Sequence, residues 1–283
     1  MDGRRFWKAL TAAAIIVGGL NASPAQTPPA APPGGATINQ APADVLRELA
    51  PTGTLRAAIN LGNSVLAQGT PQALRGVSVD LARELARRTG LPLELVPFEA
   101  AGKVFAAVPA NAWDIAFLAI EPVRAAEVDF TAPYVLIEGT YMVPSDSALK
   151  TIAEVDRAGV RITVGLGSAY DLYLTRTLKQ ASIVRAKTGG GRAMIDLFLV
   201  DKLEAAAGVR QALVAYAQTD PGVRVMDGRF MVIEQAMGTP KGRPAAAKYL
   251  KGFIEEMKAS GFIADALKRS NQPDAAVAPA ARN

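Results

Sequence analysis

The chain has 283 residues, half of them hydrophobic by type, and a formal net charge of +5. That is enough apolar material for one large core or two smaller ones. The charge is too scattered for a nucleic-acid surface, since no Lys/Arg stripe carries interleaved aromatics. Neither His nor Cys occurs. This excludes a Ser-His-Asp triad, a His-based metal site, thiol catalysis, iron–sulfur clusters and disulfides. Only oxygen ligands remain for a metal, and there is no EF-hand loop, so no metal or cofactor is expected.

Residues 1–25 read as a secretory signal peptide. Arg4, Arg5 and Lys8 precede an apolar run from Ala9 to Leu20, and Ser23-Pro24-Ala25 supplies small residues for cleavage. The run is about a dozen residues long, short of the ~20 that a membrane span needs. Residues 26–43 form a Pro/Ala/Gly-rich linker with too little apolar bulk for a core. Export to the periplasm is the expectation.

Strands and helices then alternate. Leu55 to Ile59 reads as a strand and Val79 to Arg88 as a helix with basic residues in its last turn and Gly90 as its C-cap. Leu93 to Val96 is a strand, Val104 to Val108 a short helix, and Ile115 to Ile120 a fully apolar strand. A second unit follows. Tyr141 to Pro144 is a strand, Leu149 to Ala158 a helix, and Arg161 to Val164 a strand. A helix from Ala169 to Leu178 begins at Ser168. Ser182 to Ala186 is a strand, and Thr188-Gly-Gly-Gly-Arg192 opens a helix to Val200. Ala205 to Ala207 is a strand and Val209 to Ala217 a helix. Val223 to Met226 and Phe230 to Met237 are strands, followed by helices Ala245 to Ser260 and Phe262 to Arg269. The repeated βαβ logic predicts an α/β fold with a mostly parallel sheet covered by helices.

One segment carries most of the functional information. Asp114-Ile-Ala-Phe-Leu-Ala-Ile-Glu-Pro-Val-Arg124 ends a buried strand on a cation, and Val128-Asp-Phe-Thr-Ala-Pro-Tyr134 closes the segment. A cation just past a strand end sits where open α/β sheets bind ligands. The segment resembles the bacterial extracellular solute-binding proteins of family 3, whose pattern is D-[AVI]-x(5)-[IT]-T-x-E-R-x(3)-V-D-F-[ST]-x-P-Y. Weaker echoes in the family's order are Gly76-Val-Ser-Val-Asp80-Leu-Ala, Val164-Gly-Leu-Gly167-Ser168 and Glu256-Met-Lys-Ala-Ser-Gly261. Together they cover roughly Pro51 to Ser270.

The resemblance implies a type II periplasmic-binding-protein fold: two lobes, a hinge and a ligand cleft between them. The lobe boundaries it implies are 44–138 for the first part of lobe 1, 139–238 for lobe 2 and 239–270 for the return to lobe 1. Residues 271–283 are left as a disordered tail. The implied crossings fall near Ile137 to Tyr141 and Gln235 to Thr239. The implied role is the monomeric, non-catalytic binding component of an ABC importer, with membrane permease subunits as partners.

The same resemblance assigns Arg124 to the ligand carboxylate. Ser168 and Ala169 would add a helix N-terminus that binds anions through backbone N–H groups. Asn60 and Asn63, after the first strand, give a polar neutral wall in place of the family's usual aromatic or acidic residue. Thr188 opens the glycine-rich loop, which lacks the G-K-[ST] of a phosphate loop.

Two family elements that receive an α-ammonium are absent. The Ser/Thr position is Ala119, and the acidic position falls on Val209 with Arg210 next. A buried ammonium without a partner costs several kcal/mol. The expected ligand is therefore a small carboxylate without a free α-ammonium, with Arg210 holding a second anionic or carbonyl group. Glu121 is expected to pair with Arg124 three residues on. Were it to turn into the cleft, it would restore a standard amino-acid site. The other alternative is a cyclohexadienyl-dehydratase-like enzyme on the same fold, with Glu99, Glu121 or Glu234 as its acid.

Overall fold

A computed structural model describes residues 41–187, 190–272 and 275–282. The expected signal peptide, nearly all of the expected linker and Thr188 lie outside the described residues. The chain enters through a helix the sequence reading lacks, α1 (Ala43–Leu49), which buries Val45 and Leu49. Lobe 1 follows with β1 (Leu55–Asn60), a hairpin of β2 (Gln68–Thr70) and β3 (Ala73–Arg75), α2 (Val77–Thr89) and β4 (Leu93–Phe98). Gly90 ends α2 in the left-handed conformation, as a C-cap requires. Next come α3 (Ala101–Ala106), β5 (Ile115–Ala119), the single turn α4 (Pro122–Ala125), β6 (Val128–Phe130) and the long β7 (Val135–Pro144).

The second half contains β8 (Arg161–Gly165), α5 (Ala169–Thr177), β9 (Ser182–Ala186), α6 (Gly190–Val200), β10 (Ala205–Val209), α7 (Arg210–Ala217) and β11 (Val223–Val225). The chain returns through β12 (Met231–Pro240), α8 (Pro244–Ala259), α9 (Phe262–Arg269) and β13 (Ala276–Val277). Among the described residues, no helix is long and apolar enough to cross a membrane.

One continuous sheet runs in the order β4-β1-β5-β12-β7-β10-β8-β9. Each half holds three parallel strands with the earliest in the centre, β4-β1-β5 and β10-β8-β9. The halves meet through antiparallel β12 and β7. Neighbouring strands therefore send their chains to opposite faces, and crevices open at the carboxyl ends of β1/β5 and of β8/β10, the switch points where α/β sheets take ligands.

Two expectations are corrected. Leu149 to Ala158 forms only a 3-10 turn, Ile152–Val155. The Asp156 carboxylate collects the N–H groups of Lys179, Gln180 and Ala181, tying the segment to the α5–β9 connection before a helix can continue. The tail is not wholly disordered. β13 pairs with β7, Ala275 and Ala278 are buried, and Lys258 Nζ donates to Pro279 O at 2.9 Å. Alanines are small enough to lie flat on that strand edge.

Asp114, the first residue of the informative segment, is a clamp within lobe 1. It is fully buried and receives the backbone N–H of Arg56 at 3.0 Å, Arg56 Nε and Nη2 at 2.9 Å each, and Arg243 Nη1 at 2.9 Å. This joins β1, β5 and the start of α8. Removing one side of a buried charge pair costs about 3 kcal/mol or more. Asp114→Asn is therefore expected to lower the unfolding free energy by about that much, read as an earlier urea midpoint with an unchanged slope.

Candidate ligand cleft

The carboxyl ends of β1, β5, β8 and β10 converge on one small cavity of ≈ 50 Å³. Asn60, Ala119, Gly165 and Val209, the last residues of those four strands, all line it. The same wall holds Arg124, Asn63, Ser168, Ala169, Tyr170, and Ile233 and Gln235 from β12.

Arg124 lies on α4, which starts where Pro122 ends the β5 extension and supplies the first turn. Its side chain is 1% exposed. Nη1 donates to Ala119 O at 3.0 Å, and Nη2 crosses the cleft to Gly167 O at 2.8 Å. Buried Nε has no partner among the described residues. Burial pulls the guanidinium down to about 10, an effect that the nearby Glu121 charge partly offsets. At neutral pH the group remains a cation, desolvated and with N–H donors to spare.

Across the cleft, Ser168 caps α5 by accepting the Asp171 N–H at 3.1 Å. The Asp171 carboxylate in turn accepts the Gly167 N–H at 2.8 Å and Arg185 Nε at 2.9 Å. The loop is thereby fixed, and Ala169 and Tyr170 at the first turn face the cavity. Burial raises the Tyr170 phenol, so it stays protonated. On the opposite wall, Asn60 Oδ1 accepts from the Gly62 N–H at 3.0 Å and Asn63 Oδ1 from the Val65 N–H at 3.2 Å. Each carboxamide keeps its NH2 free to donate. The wall is rich in donors, and no Asp or Glu lines it among the described residues.

Of the residues expected at the site, Asn60, Asn63, Ala119, Arg124, Ser168 and Ala169 share this cavity. Thr188 lies outside the described residues. Arg210 does not reach the cavity, and the role of a second anion holder is corrected. It begins α7, and its guanidinium turns behind the sheet to Glu138 Oε2 at 2.7 Å and to Gly228 O. Val209, one residue earlier, faces the cleft instead. Glu121 does not pair with Arg124 by hydrogen bond. It is 2% exposed and holds Arg176 Nη1 of α5 at 2.5 Å, across the lobes. Glu234 is exposed, on the opposite face of β12 from Ile233 and Gln235, and Glu99 does not line the cavity.

Sequence reasoning missed Gln235, Arg176 and the side chain of Tyr170, whose backbone N–H it did place at the cleft. Gln235 had a signal in the alternation of β12, where Ile233 and Gln235 are buried between exposed Val232 and Glu234. Arg176 had none, because its partner is 55 residues away and on the other lobe.

The family model of bacterial extracellular solute-binding proteins, family 3, matches residues 65–271. The L-cystine-binding protein TcyJ of Escherichia coli K12 is 24% identical over 206 residues, 69% of this chain and 74% of that protein. The solved solute receptor for L-cysteine of Neisseria gonorrhoeae superposes with a TM-score of 0.69 at 20% identity, covering 81% of this chain and 94% of that one. The ancestral amino-acid-binding protein AncCDT-1, a precursor of cyclohexadienyl dehydratase, gives a TM-score of 0.66 at 22% identity over 79% and 97%. These likenesses in structure confirm the expected type II periplasmic-binding-protein fold.

The Glu121–Arg176 pair joins the lobes, and Arg176 is 44% exposed at its side chain. A half-exposed pair contributes ~1 kcal/mol at most. Arg176→Gln is expected to weaken ligand affinity about fivefold by calorimetry, in line with that magnitude, with a smaller effect at high salt.

Proposed function

The chain belongs to the bacterial extracellular solute-binding proteins, family 3, and from that premise we propose that it is the exported, monomeric binding component of an ABC importer whose ligand is a small carboxylate without a free α-ammonium. One observation carries the ligand class. Arg124 is the only charged side chain among the described residues lining the inner cavity, and it has no carboxylate partner there. A monoanion balances this site. A zwitterion brings a second charge that finds no carboxylate on the wall among the described residues, and the two positions where the family receives the ammonium carry the methyl of Ala119 and the isopropyl group of Val209.

A second feature supports an anion. On the outer side of the cleft a groove of ≈ 210 Å³ is lined by Lys103 from one lobe and Lys187 from the other. Two cations at the entrance raise the local concentration of an approaching anion. Binding rather than chemistry is the role that the wall supports, because none of the three acids considered as proton donors lines the cavity, and Glu121, the nearest, is held by Arg176. The named ligands of the relatives, L-cystine and L-cysteine, are amino acids, and the departure at Ala119 and Val209 sets this chain's ligand apart from them.

The test is a calorimetric comparison of matched pairs such as pyruvate with L-alanine, each oxo acid having the shape of its amino acid. The oxo acid is expected to bind at least tenfold tighter. Tight binding of the amino acid alone would overturn the ammonium argument. Arg124→Met is expected to weaken the acid by about 100-fold, the worth of ~2.7 kcal/mol of charge-assisted contact. Its melting temperature without ligand should not fall, because an uncompensated buried charge is removed along with its hydrogen bonds.

A further inference from the structure

Two glycine pairs bring the lobes together at the cleft rim. A Cβ on Gly102 of α3 would lie 2.6 Å from Leu166 O and 3.2 Å from Gly167 Cα, both of the opposite lobe. Gly167 answers in kind: its Cβ would fall 2.8 Å from Gly102 Cα. At the second point, a Cβ on Gly190 would sit 2.7 Å from Glu99 O and 2.8 Å from Gly62 Cα. Gly167 and Gly190 also have φ of +70° and +58°, which other residues adopt at a cost. The rim is therefore main chain against main chain. At these two points, no side chain separates the lobes.

This contact sets the ligand's length. With a water needing about 10–15 Å³ of such space, the cavity of ≈ 50 Å³ has room for roughly four water-sized groups. A longer ligand has to keep the lobes apart, which forfeits the Arg124–Gly167 bond and the Glu121–Arg176 pair across the cleft. We propose that the Gly102–Gly167 and Gly62–Gly190 contacts are the specificity determinants of this receptor, restricting it to small carboxylates and shutting out side chains the size of a phenyl ring. The carboxylate requirement rests on the proposed function above, but the length limit stands on the rim alone.

The experiment uses calorimetry on the protein with four probes: pyruvate, L-alanine, phenylpyruvate and L-phenylalanine. The expected result is that a short probe binds at least tenfold tighter than its phenyl counterpart. Alanine replacing pyruvate as the preferred short probe would overturn the ammonium reading and leave the length limit standing. Phenylpyruvate or phenylalanine binding as tightly as the short probes would overturn the limit, and so would failure of both short probes to bind. The rim itself is tested by Gly102→Ala. Gly102 lies in α3 and lacks a positive φ, so alanine favours the helix and the melting temperature without ligand should not drop. Affinity for the short probe should nevertheless fall at least tenfold. Unchanged affinity in this variant would overturn the role of the contact.

Discussion

The desolvated guanidinium of Arg124 is the constraint around which the cleft is organised. A cation at 1% exposure is expensive to keep, and its usual remedy, a buried carboxylate, is absent from the wall. The fold offers two main-chain carbonyls instead, one from each lobe. Carbonyl dipoles hold the group in place without neutralising it. Its charge stays available, and the bond to Gly167 O ties the second lobe to the same side chain that lines the cavity. The cavity wall and the contact between the lobes therefore meet in one residue.

Asp114 shows the opposite treatment of a charge ten residues earlier. Its carboxylate is saturated by two arginines and a backbone N–H, and it sits at the start of β5, away from the cleft. The strand β5 thus has a satisfied charge at its base and an unsatisfied one beyond its tip. Burial alone does not separate them, since both side chains are inaccessible. The partner list does. Tyr134, which closes the same segment, is also structural: its hydroxyl lies 3.2 Å from Ser78 Oγ and its ring meets Phe117 edge-on.

This explains how much of the molecule could be read in advance. Strands and helices with strong periodicity were legible, as α9 (Phe262–Arg269) and β8 show, because local pattern and burial agree there. The turn at Ile152–Val155 was not, since Asp156 is claimed by backbone groups more than twenty residues on. At the site, Arg124 and Ser168 were legible from their places at a strand end and a helix start. Arg210 was misread because one residue decides everything at the β10–α7 junction. Strand geometry aims Val209 into the cleft, and the next residue, already helical, points behind the sheet to Glu138. Contacts between the lobes, such as Glu121 with Arg176, have no local signature at all.

Charge balance then joins the two halves of the functional argument. Glu121 is the acid nearest to Arg124 and acts on its charge, but its carboxylate is held by Arg176. Counting Arg124, Glu121 and Arg176 together leaves one positive charge at the cleft. A single anionic group cancels it, and bringing the lobes into contact around that group buries no net charge. A neutral zwitterion leaves the excess in place and adds an ammonium for which the wall, among the described residues, offers no carboxylate. In a medium of low dielectric that difference grows as water is expelled. On the proposed reading of the ligand, a tighter glycine rim sharpens the preference for an acid over the corresponding amino acid.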